Sequence, residues 1–143
     1  MCLDTLSAAD SLYMHVSKPP KEGSPASLFF KELKTAADQF STVTVDGVHK
    51  KINLADDILA WEHERFSIRR LPAFTLSTLK SHREMSRGTI LDTRKNLDVN
   101  KLVQNVKVIA EALSNFVYNV SQGEILGGSL VSWIIYSNYN NLM

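Results

Sequence analysis

The side chains best suited to chemistry are concentrated in residues 61–76, which read WEHERFSIRRLPAFTL. A carboxylate beside an imidazole, as in Glu62 and His63, has the composition of a general acid–base pair. Neighbouring side chains on a helix do not face each other, so these two groups would not act on each other directly. The pattern therefore favours a packed or hydrogen-bonded His63 over a catalytic one.

Three arginines, Arg65, Arg69 and Arg70, form a small basic cluster in the same stretch. Guanidinium groups bind carboxylates and phosphates through paired hydrogen bonds, so the cluster could belong to a surface that contacts a partner. The alternative is a solvated face, because Glu62 and Glu64 partly neutralise the charge. The sequence leaves both interpretations open.

Other familiar site patterns are incomplete. His15 and His49 are isolated and lack a second ligand at metal-binding spacing. The glycines at 127–128 lack the strand-to-helix context and the following lysine of a phosphate loop. Ser77 and Ser81 lie outside any nucleophile-elbow pattern. Residue spacing alone therefore predicts no catalytic site.

Composition limits the function classes further. The chain has 143 residues with 16 basic and 15 acidic side chains, a net charge of +1, which argues against an electrostatic nucleic-acid binder. A hydrophobic content of 44% is typical of a globular domain. Cys2 is the single cysteine, so an intrachain disulfide and a cysteine zinc site are excluded. We expect no signal peptide, because Asp4 puts a charge where an apolar run should begin, and no membrane span, because no apolar run reaches 18 residues.

Strands and helices alternate in the predicted order. Residues 1–5 and the alternating residues 11–16 predict strands. Ser24 predicts a helix cap with Pro25 at the first helical position. Residues 43–48 predict a further strand, or a hairpin that turns at Asp46 and Gly47.

The second half predicts two helices separated by a buried strand. Residues 56–68 predict a helix with a narrow apolar side containing Ile58 and Phe66, and residues 73–78 a core strand after a turn at 71–72. Asp98 predicts the cap of a long amphipathic helix with Asn105 and Glu111 on its outer side. The predicted apolar side contains Leu102, Val103, Val106, Ile109, Ala110, Leu113, Phe116 and Val117. Such alternation favours an α/β fold with a largely parallel sheet.

Several motifs also carry a family resemblance. Residues 61–73 resemble the zinc aminopeptidase pattern S-D-H-x-P-F-x-x-x-G-I-P-A, with Trp61 and Arg70 in place of the peptidases' small residues. As it stands, the stretch resembles the nicalin family of nicastrin-related membrane proteins of the endoplasmic reticulum. The runs LDT at 3–5, HVSKPP at 15–20 and IAEAL at 109–113 are similar to that family too. The resemblance covers roughly residues 1–121.

The resemblance implies a partial aminopeptidase-like fold with a mixed, largely parallel sheet and flanking helices. We expect residues 1–121 to form the C-terminal portion of a nicalin-type domain in a truncated chain. Residues 122–143 are expected to be a divergent tail without the family's membrane anchor. The apolar run at 125–135 is shorter than the roughly 20 residues that span a bilayer.

The resemblance also implies that the zinc site of the aminopeptidases is incomplete in this chain. Asp4 matches a strand-end aspartate that ligates zinc in the aminopeptidases, although a turn-capping aspartate is the alternative. Gly88 stands where those peptidases carry a ligand histidine, and His82 could replace it only from a shifted loop. We therefore expect no catalytic residue, no metal site and no cofactor, with Asp4 as a vestigial ligand.

The remaining expectations concern biology. The sequon at Asn119 predicts glycosylation and, with the resemblance, a domain in the lumen of the endoplasmic reticulum. The resemblance implies a non-catalytic scaffold in the membrane of that organelle, with the nodal modulator protein NOMO and a small multipass protein as partners. It implies roles at the translocon and in antagonism of Nodal signalling, with no nucleic acid and no small-molecule substrate. The alternatives are a zinc-dependent aminopeptidase-like hydrolase and a nonfunctional truncated fragment.

Overall fold

Strands and helices alternate along the chain, as the hydrophobic pattern predicts. The structure is a computed structural model and describes residues 1–40, 43–55, 58–84, 87, 93 and 97–118. In chain order the described elements are β1 (Cys2–Asp4), β2 (Ser11–Val16), α1 (Pro25–Phe40), β3 (Thr44–His49), α2 (His63–Ile68), β4 (Thr75–Ser77) and α3 (Val99–Tyr118).

The strands form one mixed sheet in the order β1-β4-β2-β3. β1 runs parallel to β4, and β2 runs parallel to β3. The two parallel pairs meet through an antiparallel contact in which Tyr13 lies opposite Ser77 and His15 opposite Thr75. The predicted α/β fold with a mixed sheet and flanking helices is confirmed.

One face of the sheet supports the main hydrophobic core. Leu12 and Met14 of β2 and Leu76 of β4 point to this face and are buried. Both long helices pack there, with Phe29 of α1 against Phe116 of α3 at a ring distance of 5.8 Å. Burial of these apolar side chains removes them from water and is the main stabilisation of the sheet–helix contact.

β3 is a continuous strand, so the predicted hairpin at Asp46 and Gly47 is wrong. Both residues pair with β2, opposite Tyr13 and Met14. Gly47 lies against the ring of Phe30 on α1, and a Cβ at this position would come 3.5 Å from it. This is an ordinary contact distance, so Gly47 lies within a paired strand beside α1 and does not mark a turn.

α2 is shorter than predicted, because it begins at His63 and not near residue 56. The backbone before it is held differently: the N–H of Ala60 donates to the Glu64 carboxylate at 3.0 Å, and the N–H of Glu64 donates to the carbonyl of Trp61 at 3.0 Å. The predicted apolar side is also wrong, since Ile58 is 84% exposed while Glu64 is buried.

α3 begins after Asp98, as predicted, with the Asp98 carboxylate accepting from the N–H of Asn100 at 3.0 Å. Its buried face differs from the predicted one: Asn105 and Glu111 are buried, whereas Val103 and Val106 are substantially exposed. Asn105 faces inward because its side-chain amide donates to the carbonyls of Leu6 and Ala9, at 2.8 and 3.0 Å, in the loop between β1 and β2. Hydrogen bonding offsets the cost of burying this polar group.

Candidate functional site

A polar cluster lies on the opposite face of the sheet. Successive side chains of a strand point to opposite faces, so His15 of β2 and Thr75 of β4 face away from the main core. They are covered by residues 60–64 and by Leu79, and Ala60, Trp61 and Leu79 form a small apolar cluster of their own. The segment before α2 therefore closes the second face of the sheet.

Four side chains of this cluster form a stacked column, which we define as His15, Trp61, Arg87 and Asp4. The imidazole of His15 lies 4.0 Å from the Trp61 ring, with an angle of 25° between the planes. The Arg87 guanidinium lies 4.4 Å from that same ring. Stacking and cation–π attraction favour this arrangement beyond simple burial.

Asp4 ends the column and is held by hydrogen bonds. Its Oδ2 accepts from Nε and Nη2 of Arg87, at 2.9 and 2.8 Å, and its Oδ1 accepts from the Thr5 hydroxyl at 2.8 Å. Thr5 has a φ of 48°, which is unusual for a β-branched residue. The carboxylate that resembles a zinc ligand is thus engaged by a guanidinium.

Among the described residues, no three His, Cys, Asp or Glu side chains lie close enough together to hold a metal. Gly88, at the expected position of the ligand histidine, and Asn119, at the sequon, both lie outside the described residues, as does the tail at 122–143. A structural zinc site needs four ligands and a catalytic one three.

The two buried histidines favour the neutral form. His15 Nε2 lies 2.8 Å from the Leu79 carbonyl, which only accepts, so this nitrogen donates. His63 Nδ1 lies 2.9 Å from the Thr75 hydroxyl. Burial lowers the pKa of both imidazoles. For His63, the positive charge of Lys50 and the repulsion from His15 when both rings are protonated add to burial, and the pKa is lowered to about 4.

The structure separates the side chains of Glu62 and His63, as expected for neighbouring residues. Glu62 points to solvent and pairs with Arg65 at 3.3 Å, whereas the side chain of His63 packs under the sheet. Glu64, the next acid in the chain, is buried; it accepts from the N–H of Ala60 and lies 3.4 Å from Lys50 Nζ. Its role is to fix the segment before α2.

The three arginines lie in the last turn of α2 and in the two residues that follow it. Arg65 pairs with Glu62, and Arg69 forms the C-cap of α2. Arg70 follows in the left-handed region at φ 62°, with its N–H bonded to Ser67 O at 3.0 Å and the N–H of Leu71 bonded to Phe66 O at 3.1 Å. This is the Schellman arrangement, in which glycine is the usual residue at the Arg70 position.

Sequence reasoning missed Trp61 and Arg87 as members of the cluster. Arg87 lies in a charged stretch of the chain, and its partner Asp4 is 83 residues away. A weak signal was present: the odd positions of β2 put His15 on the face away from the apolar residues, so something had to cover it.

Fold and cluster together define an α/β fold in which packed polar side chains cover the second face of the sheet. His15, Trp61 and His63 are each at most 2% exposed, so none of them is open to a substrate. Among the described helices, none combines the length and apolar content needed to cross a bilayer.

Comparison with known proteins identifies the relatives. No family model matches. A protein named BOS complex subunit NCLN from Canis lupus familiaris is 56% identical over 123 residues, covering 85% of this chain and 22% of the relative. The Danio rerio protein of that name is 51% identical over 143 residues, covering 89% and 25%. A Caenorhabditis elegans protein named nicalin is 34% identical over 123 residues, covering 85% and 22%.

The matched residues are therefore homologous to a segment of nicalin. The chain spans about a quarter or less of the length of these relatives.

Proposed function

We propose that this chain belongs to a non-catalytic scaffold subunit of a membrane complex of the nicalin type. The observation that carries the proposal is identity of 51–56% to relatives named as subunits of the BOS complex. Because the aligned part is a minority of each relative, the activity and partners of a whole nicalin reach this chain only as part of the proposal.

In its finer form, the proposal places the chain in a domain on the lumenal side of the endoplasmic reticulum membrane. Residues 1–121 would be the C-terminal portion of an aminopeptidase-like domain and residues 122–143 a divergent tail. Its partners would be NOMO, a small multipass membrane protein and the translocon machinery. Its roles would be multipass membrane-protein biogenesis and antagonism of Nodal signalling. The motif resemblance of residues 61–76 and the names of the relatives support these assignments.

The geometry of the polar cluster supports a non-catalytic role. Asp4 is neutralised by Arg87, and the two histidines beneath the sheet are buried and neutral near pH 7. A general base must reach a proton on a substrate, which a side chain under a packed tryptophan does not do. We therefore propose no cofactor and no small-molecule substrate, with Asp4 and Gly88 as a lost metal position. Asn119 would be the glycosylation site, and Arg65, Arg69 and Arg70 part of the surface that meets a partner.

Co-purification tests this function. A tagged copy of the chain, directed to the endoplasmic reticulum, is recovered from detergent-solubilised membranes, and the proteins bound to it are identified by mass spectrometry. The matched control is an unrelated α/β domain with the same tag and targeting sequence. We expect NOMO and the translocon-associated partners to be enriched with the chain and absent from the control.

Two results would contradict the proposal. Recovery of chaperones alone would show that this segment does not carry the binding surface. Stoichiometric zinc in the purified chain, together with release of amino acids from peptides, would favour the hydrolase alternative.

A further inference from the structure

An open crevice lies between the loop after β2, the beginning of α1 and the segment that leads into β4. Its volume is about 660 Å³. This size falls in the range of roughly 300–1,000 Å³ that is usual for ligand clefts. The crevice is separate from the stacked column, since none of the four column residues lines it.

The charge of the crevice is uniformly positive. Lys18, Lys21 and Arg70 line it, and no acidic side chain is among its described lining residues. None of these three cations makes an ion pair with another side chain in the described part of the chain. The Oγ of Ser17, which also lines the crevice, is buried without a hydrogen-bond partner. The crevice thus offers three cationic groups and, among its described lining residues, no carboxylate to balance them.

The walls between these cations are largely apolar. Pro19, Pro20, Leu71 and Pro72 line the crevice and are exposed to solvent. α1 begins at Pro25 on one wall and has no acidic residue in its first turn, so the positive end of its dipole adds to the local potential. A single inorganic anion would satisfy the charge but leave the apolar walls in contact with water.

We propose that the crevice binds an acidic peptide segment of a partner protein, with carboxylates on Lys18, Lys21 and Arg70 and apolar side chains on the proline walls. Alternation of acidic and apolar residues matches a crevice in which cations are set among apolar surfaces. Arg70 supplies paired donors for one carboxylate. The origin of the peptide in a membrane complex rests on the proposed function, whereas the preference of the crevice for acidic peptide does not.

Binding of a defined probe to the purified chain tests the proposal. The probe is a fluorescein-labelled peptide of alternating glutamate and leucine, compared with the same peptide carrying glutamine in place of glutamate. Fluorescence anisotropy gives Kd at low and at high salt. We expect the acidic peptide to bind about tenfold or more tightly than its glutamine counterpart, and added salt to weaken it.

The key variant is Arg70→Gly, because it removes the guanidinium while placing the preferred residue in the left-handed position. A loss of binding in this variant cannot then be attributed to loss of the fold. We expect Kd to rise about three- to tenfold, and the variant that combines it with Lys18→Gln and Lys21→Gln to lose binding.

The matched control carries Lys31→Gln, Arg83→Gln and Lys107→Gln, which change the net charge equally at exposed positions away from the crevice. This control should bind the peptide like the unmodified chain. Equal weakening by both triple variants, or no preference for the acidic peptide, would overturn the proposal. Crevice-dependent binding to phosphatidylserine vesicles in place of the peptide would also overturn it, in favour of a lipid headgroup. Each of these outcomes can occur while co-purification of the complex succeeds, so the two proposals fail separately.

Discussion

Arg70 adopts a backbone conformation that glycine adopts at lower cost. It is the residue after the C-cap of α2, with φ 62°, in a position where a side chain crowds the backbone. Arg70 also lines the crevice, so the position combines a local conformational cost with a positive charge beside the proposed peptide site. The stacked column is the opposite case. There the charges of Asp4 and Arg87 pair with each other, and the Arg87 guanidinium lies on the Trp61 ring.

Replacement of Arg70 by glycine should therefore raise the free energy of unfolding, by about 0.5–1 kcal/mol, because the left-handed strain is relieved. The neighbouring Arg69 has φ −84°, so Arg69→Gly gains no such relief and should lower stability by a similar amount through greater freedom of the unfolded chain. Urea denaturation followed by circular dichroism measures both. Equal destabilisation by the two variants would contradict the left-handed assignment of Arg70.

At the level of elements, tertiary packing decides which side of α3 is buried and whether β3 continues through Asp46 and Gly47. The hydrophobic pattern permits more than one outcome in each case. α3 has apolar residues on more than one side, and its buried side includes Val108, Ile109 and Ala112 together with Asn105. β3 continues through a dipeptide that favours turns, because it pairs with β2 along its whole length. In both elements a contact distant in sequence determines the outcome.

The buried side of α3 can be tested by a matched pair of substitutions. Val108 is fully buried, so Val108→Ala should lower the free energy of unfolding by about 2 kcal/mol through lost apolar burial and a residual cavity. Val106 is 45% exposed, so Val106→Ala should change stability by less than about 0.5 kcal/mol. Both values come from urea denaturation at equal protein concentration. A larger loss of stability from Val106→Ala than from Val108→Ala would indicate that α3 buries the face predicted from the hydrophobic pattern.

The path of β3 can be tested at Gly47. A Cβ there would make an ordinary contact with Phe30, and strand residues favour alanine over glycine, so Gly47→Ala should stabilise by about 0.5 kcal/mol. Gly23 serves as the control, because its φ is +72° and Gly23→Ala should destabilise by about 1 kcal/mol. Thermal unfolding reports both. Destabilisation by Gly47→Ala of the size expected at Gly23 would indicate a turn at 46–47 after all.

At the scale of the whole molecule, the sheet is covered in two different ways. One face carries a conventional apolar core shared by both long helices, and the other carries neutral imidazoles, an indole and a buried glutamate. The packing of the second face is stable only while His15 and His63 are neutral, since charging a buried imidazole opposes folding. Stability of the molecule should therefore depend on pH through this face.

Because of His63, the free energy of unfolding should fall as the pH is lowered. The folded-state pKa of His63 is about 4 against 6.5 for an exposed imidazole, so between these values the unfolded chain binds a proton that the folded chain does not. The stabilising contribution is complete above pH 6.5 and is lost as the pH falls towards 4, by roughly 3 kcal/mol in total. Urea denaturation at a series of pH values should show this slope, with a smaller slope in His63→Gln. An unchanged slope in the variant would assign the pH dependence to other groups.

Interactions within one or two helical turns were enough to predict several features from the sequence. The caps at Ser24 and Asp98, the alternation of β2, the amphipathic character of α3 and the alternation of strands with helices all follow from spacings of two to four residues. The α/β class follows from that order of elements. These predictions were confirmed because each signal lies within the segment that it describes.

The tertiary structure alone decided the features that join distant parts of the chain. The pairing of Asp4 with Arg87, the stacking of His15 on Trp61, the burial of Asn105 and the path of β3 each depend on a partner far away in sequence. A local pattern can indicate that a side chain is apolar or charged, but not which of two faces will be covered or by what. Those choices are made when packing excludes water and most buried polar groups find a hydrogen-bond partner.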